Sequence, residues 1–477
     1  MIQVQNIEKN NSFLFINLVF GFFPLSFILG SLFVNLNFLL FCFGGIFYLR
    51  SKIFTHKYPN IINITFLLFL LVFISTAVSF IKTLYFANYN DWELDRLLKS
   101  ILYFRYFLFI LIIYLLNKFD FLNFKFFFLT AALSSLILSL DLIFQYSFGF
   151  NTLGWESGSF RNSGFFGDEY VAGGYLQRFS FFLFFGAIYF FKNKSYFKYM
   201  LMAIVACILA GGIFAAGNRM PLVLFIFGFI IILFFNINVK KVVLFCLTSV
   251  LIFLSFMFWS DQQARALYSA FVNHAQNIIT FTDKSVIKAV PQIKDCEDLN
   301  KKLEKKCKFF REKLGPDSGV VWESFHRRLY LTAIDTWKFN KIIGNGIKSF
   351  RHDCHRLRDQ PDISIDENLI PGMKNRLCSN HPHNYYLEIL TETGVVGMII
   401  FLLIVLSILS IVIKNNKFIN EKSFGSLIYL SVTISLILEM FPLRSSGSIF
   451  TTNNATYITM FIGIFLCYEK LIKINDK

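Results

Sequence analysis

Six of the seven histidines, at positions 274, 326, 352, 355, 381 and 383, fall between residues 260 and 383. The densest passage reads Cys378-Ser-Asn-His381-Pro-His383-Asn384-Tyr-Tyr-Leu-Glu388-Ile-Leu-Thr-Glu392-Thr-Gly394-Val-Val-Gly397 and ends where a long apolar run begins. An imidazole that is neutral near pH 7 accepts a proton from a hydroxyl, so His383 is the candidate general base. Glu388 and Glu392 follow it and could orient it or raise its basicity. The plainer reading of a lone histidine here is a polar residue at a membrane edge. His352, Cys354, His355, Cys378, His381 and His383 also carry zinc-ligating side chains. Their spacings, His-x-Cys-His and Cys-x-x-His-x-His, match no standard finger, and pairing of the cysteines would consume them. No metal is expected.

Arginines give the second signal. Arg219 sits in Ala-Gly-Asn-Arg-Met-Pro, Arg178 follows Gly-Gly-Tyr-Leu-Gln, and Arg105 lies inside an apolar run. A charge in such a place costs several kcal/mol unless it is paired, which makes each a functional candidate. Arg161 and Asp168 lie in a short polar stretch, Arg327 and Arg328 in a long one. The planar guanidinium suits phosphate oxygens, so several arginines on the histidine's side point to an anionic head group, with a diphosphate the expected one. The competing reading is snorkelling, or pairing with Asp141, Glu439 or Asp168. Function is favoured for Arg219 and structure for Arg105. Arg327 and Arg328 are adjacent, so only one is expected to reach a ligand. Gly344-Asn-Gly346 reads as a turn after a helix. Asp362, Asp366 and Glu367 read as solvated, and no Asp-x-Asp cluster is placed to hold a divalent ion.

What must position these residues follows from composition. Of 477 residues, 55% are hydrophobic, 19% aromatic and 16% charged, with 64 phenylalanines; a typical soluble domain is about 25% charged. Mean hydropathy is +0.56. A disordered chain, a collagen-like fibre and an ordinary soluble enzyme are excluded, because a single core cannot hide this much apolar surface from water. The net charge of +16 is scattered among apolar runs, and no nucleic-acid-binding motif accompanies it.

Twelve apolar stretches are expected to cross lipid: roughly 12–32, 34–49, 62–83, 100–117, 124–147, 171–191, 197–216, 221–236, 241–259, 394–414, 424–442 and 454–470. Lipid leaves helices or closed barrels as the options, and continuous runs rather than ten-residue alternation select helices. Lys and Arg of the short connections divide about seventeen to five. The richer side, including both termini, is therefore expected to be cytoplasmic. The fold expected is an all-α integral membrane protein. Residues 1–259 form about nine helices with a small external loop at 148–170. Residues 260–393 form a large, mainly helical external domain, and residues 394–477 about three more helices. Within the external domain, 298–314 reads as a surface helix and 326–342 as an amphipathic one.

Cys42, Cys207, Cys246 and Cys467 lie in apolar runs, and Cys296, Cys307, Cys354 and Cys378 in the external segment. An oxidising compartment favours pairing of the second set. Three connectivities are possible; the sequence-nearest, Cys296–Cys307 with Cys354–Cys378, is the expectation.

His383-Asn384, nine residues, then Gly394-Val395-Val396-Gly397 resembles the motif of the bacterial O-antigen ligase and O-antigen polymerase family of polytopic envelope proteins. Weaker echoes lie in Gly217-Asn218-Arg219-Met220-Pro221, in the segment from His326 through Gly344-Asn345-Gly346 to Phe350-Arg351, and in the 158–174 stretch. The resemblance covers about residues 140–460. It implies a GT-C-like, metal-independent, inverting glycosyltransferase without cofactor, at the periplasmic face of the bacterial inner membrane. The glycan would move from undecaprenyl diphosphate to a sugar hydroxyl of lipid A–core (ligase) or of another lipid-linked repeat (polymerase). By that resemblance His383 deprotonates the acceptor, and Arg219, Arg161 and one of Arg327 or Arg328 hold the diphosphate. His381, Asn384, Glu388, Gly394, Gly397 and Arg178 support them. A polytopic transporter or flippase is the reading from another class. It is disfavoured because no inverted repeat is visible and the polar groups gather at one rim.

Overall fold

The computed structural model describes residues 13–85, 91–158, 161–191, 195–235, 237–262, 264–265, 268–269, 325–360, 365–366, 376–420 and 422–473. It is mostly helical. In order along the chain come α1 (Leu14–Gly21), α2 (Phe23–Leu29), α3 (Ser31–Leu49), α4 (Asn60–Tyr85), α5 (Asp91–Lys118), α6 (Lys125–Phe148), α7 (Ala172–Phe190), α8 (Ser195–Ala215), α9 (Arg219–Ile232), α10 (Lys240–Ser260), α11 (Phe325–Trp337), α12 (Tyr385–Asn415), α13 (Phe424–Glu439), α14 (Thr452–Phe465) and α15 (Tyr468–Lys473). Every one of the expected apolar runs holds helix. Among the described residues, seven helices are long and apolar enough to cross a bilayer, and α9 and α13 are shorter apolar helices. The protein is thus a multi-pass membrane protein.

Two expected boundaries move. The first apolar run breaks at Phe22, ahead of Pro24, into α1 and α2. Proline is accepted in a first helical turn and not in an interior. The join to α3 falls at Gly30, at φ +101°. The tenth run begins earlier than expected: α12 starts at Tyr385 and continues past a non-helical residue, Gly394, at φ 66° and ψ −167°. The boundary placed between 393 and 394 is therefore a kink inside a helix of 31 residues.

Aromatic rings fill the space between helices. Phe38 lies 4.7 Å from Phe109, Phe127 meets Phe182 edge-on at 5.5 Å, and Phe179 of α7 meets Tyr457 of α14 edge-on at 5.7 Å. Between helices in lipid, contact and ring geometry hold elements together where the hydrophobic effect does not. Leu32, Phe47, Ile252 and Phe234 are 68%, 69%, 71% and 77% exposed, as expected of side chains that face hydrocarbon.

The described part of residues 260–383 beyond α10 is small. The helix expected at 326–342 ends at Trp337, and Asn340 Nδ2 then donates to the Gly344 carbonyl at 2.6 Å to form a turn. A short helical turn, Phe350–Asp353, leads into a 3-10 stretch, Cys354–Asp359. Two short strands, β1 (Ile365–Asp366) and β2 (Arg376–Leu377), pair in parallel. Leu329, Ala333, Phe350, Cys354 and Leu377 make a separate apolar cluster, against which Leu387 of α12 packs. Cys354 and Cys378 are joined by a disulfide with a Cα–Cα distance of 5.6 Å. Cys296, Cys307 and the helix expected at 298–314 lie outside the described residues.

Candidate active site

Asn384 starts α12. Its Oδ1 accepts the Leu387 N–H at 3.1 Å, an N-cap bond. Its Nδ2 donates to the Pro442 carbonyl at 2.7 Å, which ties the helix head to the chain leaving α13. The preceding residue, His383, has φ +56°, a region that non-glycine residues enter rarely and histidine more readily than most. Such conformations persist where the surroundings over-determine them, and they cluster at functional sites. Here the surroundings include the Ser446 N–H, which donates to the His383 carbonyl at 3.0 Å.

That backbone turn brings imidazoles together. The His381 and His383 ring centroids are 4.2 Å apart, and His326 of α11 places its ring 5.9 Å from His383. Burial lowers the His383 pKa below its ordinary value. Burial, then the charges of His383 and Arg351, lower that of His381 to about 4. Both rings are therefore neutral at pH 7, the state in which imidazole accepts a proton. His381 Nε2 is buried with no hydrogen-bond partner among the described residues.

The kink in α12 is held by the loop after α11. At Gly394 the helical ladder is interrupted. The Val395 and Val396 N–H groups donate instead to the Lys341 and Ile342 carbonyls at 2.9 and 3.2 Å. In return the Asn345 and Gly346 N–H groups donate to the Thr391 and Glu392 carbonyls at 3.2 and 2.8 Å. Four backbone groups that the kink would strand are satisfied in this way. Gly344 and Gly394 both have positive φ, and a Cβ on either would lie within 2.4 Å of the other segment's backbone. Arg96 of α5 fastens the same loop, its Nε donating to the Ile347 carbonyl at 2.8 Å.

The two buried glutamates serve this scaffold. Glu388 Oε2 accepts the Ile449 N–H at 2.8 Å, and Glu392 Oε2 accepts the Lys348 N–H at 2.6 Å. Gly397 lies one turn beyond, where a Cβ would strike the Thr393 side chain.

Arg178 is fully engaged. It donates to Glu439 from Nε at 3.0 Å and from Nη2 at 2.7 Å, and its guanidinium lies 4.4 Å from the Tyr457 ring centroid. Arg444 also pairs with Glu439, and the Tyr385 hydroxyl donates to the same carboxylate at 2.8 Å. Arg178 therefore stands in the ion-pair reading with Glu439, and it reaches the histidines through Tyr385. Arg219, the first residue of α9, lies within reach of the charge of Arg161, and Tyr268 also acts on it. On α11, Arg328 is 2% exposed and Arg327 is half-buried, so the two neighbours face differently. Arg105 donates to the Tyr106 hydroxyl at 2.8 Å.

Arg351, which the sequence names only at the end of a weaker echo, acts electrostatically on this cluster. Its charge acts on His381, on Lys348 and on Glu388 and Glu392. Its Nε is buried without a hydrogen-bond partner among the described residues. The available signal was its place seven residues after Gly344, where the turn folds the chain back onto α12. Ligand atoms of Cys354, His355 and Cys378 lie within 4.8 Å of one another, but a zinc site needs thiolates, and these two sulfurs are bonded to each other. Imidazoles whose burial favours the neutral form, beside a guanidinium whose Nε has no partner among the described residues, suit removal of a proton from a hydroxyl next to an anionic group.

A model of the family described as O-antigen ligase matches residues 204–402. The match spans α9, α10, α11 and the kinked α12 with its histidine head. No curated protein matches the chain.

Proposed function

We propose that this chain, whose residues 204–402 match the O-antigen ligase family, is a glycosyltransferase of that kind and transfers a glycan from a polyprenyl diphosphate to a sugar hydroxyl of lipid A–core. The site lies at the periplasmic rim of the bacterial inner membrane, with both termini cytoplasmic. His383 takes the proton of the acceptor hydroxyl. The acceptor oxygen then bonds to the anomeric carbon as the bond from that carbon to the diphosphate oxygen breaks, with inversion. The leaving diphosphate carries its charge away against guanidinium groups, for which Arg219, Arg161, Arg328 or Arg327, and Arg351 are the candidates. Preorganised cations aimed at developing charge are the largest contribution such a site offers, and no step needs a metal or cofactor. The observation that carries the reading is the partly buried His383 ring at the head of the kinked helix, 4.2 Å from that of His381, where burial favours the proton-accepting form.

Chromosomal deletion followed by lipopolysaccharide gel analysis tests it. The ligase reading expects core without polymer while long lipid-linked chains accumulate. Core bearing a single repeat would instead make the enzyme a polymerase, whose acceptor is a second lipid-linked repeat. Unchanged lipopolysaccharide would overturn both.

A further inference from the structure

Residues 440–451, which join α13 to α14, are bound along their length to the head of α12. The Met440 carbonyl accepts the Tyr386 hydroxyl at 2.6 Å, the Pro442 carbonyl accepts Asn384 Nδ2 at 2.7 Å, and the Ile449 N–H donates to Glu388 at 2.8 Å. Ser446 meets His383 itself. Its N–H donates to the His383 carbonyl at 3.0 Å, beside the backbone turn at φ +56°. Its carbonyl meets the ring. Burial lowers the pKa of both His381 and His383, and a hydrogen bond with the Ser446 backbone works against it in each. A bond that favours the protonated imidazole is one in which the ring N–H donates, so the acceptor is the Ser446 carbonyl. A ring nitrogen bonded in this way keeps its proton and leaves the other nitrogen to accept one.

The turn is itself held by one carboxylate. Glu439, fully buried at the end of α13, accepts Nε and Nη2 of Arg178 from α7 at 3.0 and 2.7 Å. It also pairs with Arg444 of the turn and accepts the Tyr385 hydroxyl at 2.8 Å. Arg178 Nη2 donates in addition to Asn454 Oδ1 at 2.7 Å, and Asn454 Nδ2 donates to the Ser448 carbonyl at 2.9 Å. Both ends of the turn are therefore tied to the same guanidinium. A carboxylate at the end of an apolar helix is costly unless paired, and Arg178 alone pairs this one twice over. What Arg444 adds is a tie between the carboxylate and the turn that carries Ser446.

We propose that Glu439 is a positioning residue: through Arg444 and Arg178 it fixes the 440–451 turn, and the Ser446 backbone in that turn sets the orientation and tautomer of the His383 imidazole. The consequence for transfer rests on the glycosyltransferase reading above; the orientation of the ring does not. A base held by a third group is the arrangement that proton abstraction from a hydroxyl uses, here with a backbone carbonyl as the orienting group.

The full-length protein in nanodiscs, isotope-labelled at the histidine ring nitrogens, tests the orientation by solid-state NMR near neutral pH. The His383 signals are those lost in His383→Gln. The parent should show a single neutral tautomer at His383. Glu439→Gln removes the charge on which both arginines converge. Arg444→Met cuts the turn from Glu439 but leaves Glu439 paired with Arg178, so no buried charge is stranded. In each variant His383 should become a mixture of tautomers. An unchanged single tautomer overturns the proposal, and where Glu439→Gln does not fold, Arg444→Met decides by the same criterion. Transfer by Arg444→Met should fall about 10–100-fold in kcat, as a misplacement of about 1 Å at a reacting group costs, with KM for the donor near the parent's. A purely structural role would lower the yield of folded protein and leave the tautomer and the kcat per folded molecule unchanged, and that result also overturns the proposal. Mixed tautomers with an unchanged kcat would keep the positioning of the ring and overturn the general-base reading instead.

Discussion

Gly344 and Gly394 cross with no room for a side chain on either: a Cβ on Gly344 would stand 2.4 Å from the Glu392 carbonyl carbon, and one on Gly394 would stand 2.2 Å from the Ile342 oxygen. The pair fixes where α12 kinks, between its apolar span and the head that begins at Tyr385. It thereby sets the height of His383 above the apolar span.

Gly394 has φ 66° and ψ −167°, a region essentially restricted to glycine. Gly394→Ala should cost about 1–3 kcal/mol from backbone conformation alone, and more from the clash. Thermal unfolding in detergent should show a lowered midpoint. Gly174→Ala, where no atom lies within 4 Å of the added Cβ, should behave like the parent. Equal stability of Gly394→Ala and the parent would remove the kink from the account.

The Cys354–Cys378 bond joins the turn after Phe350 to the strand that precedes His381. Closing a loop of this size typically contributes 2–4 kcal/mol. Mass spectrometry of the non-reduced protein should find the two peptides linked. Cys354→Ser with Cys378→Ser should make the segment around Arg376–His383 more open to proteolysis. Free thiols at both positions would contradict the pairing.

His381 and His352 each have a pKa lowered to about 4, mainly by burial, with Trp92 stacked on the His352 ring at 4.0 Å. The unfolded chain takes up these protons near pH 6.5 and the folded chain only near 4. Stability contributed by the neutral rings is therefore complete above about pH 6.5 and is lost as pH falls toward 4. His381→Leu should flatten the fall in unfolding midpoint across that window, whatever it does to the midpoint at pH 7. A slope identical to the parent's would show that His381 does not titrate this way. The acid limb of kcat/KM should likewise lie below 6.5, because burial lowers the His383 pKa.

Arg351 has a buried, unpartnered Nε beside His381. Arg351→Lys keeps the charge and loses the planar fork, and Arg351→Gln loses both. Transfer should fall in both, more steeply in Gln, by about 1.5–3 kcal/mol for a lost charged hydrogen bond. The loss should appear in KM for the lipid-linked donor and not for the acceptor. Loss confined to the acceptor would place Arg351 on the other substrate.

Much of this arrangement was legible in the sequence because lipid restricts the choice of structure. An apolar run of sufficient length has to be helix, and each expected run holds one. The histidine passage was legible from the spacing of His383, Asn384, Gly394 and Gly397, and the Gly344 turn from its glycines. What was not legible depends on contacts distant in sequence. The early start of α12 needs the Asn384 cap and the docked loop. The position of Arg351 follows from that loop folding back. The pairing of Arg178 with Glu439 bridges positions 178 and 439, and only its candidate partner was visible in advance. Periodicity cannot report which of two adjacent arginines is buried until the helix has a neighbour, which is why Arg327 and Arg328 are separated by structure alone.

The central claim is that the His383 ring removes the acceptor proton. The direct measurement is single-turnover transfer by purified His383→Ala and His383→Gln in nanodiscs, using a polyprenyl-diphosphate-linked glycan and lipid A–core. General-base assistance is worth about 10²–10⁴-fold, so both variants should lose at least that lower factor in rate while donor binding stays near the parent's. Transfer within a few-fold of the parent in a correctly inserted variant would contradict the account.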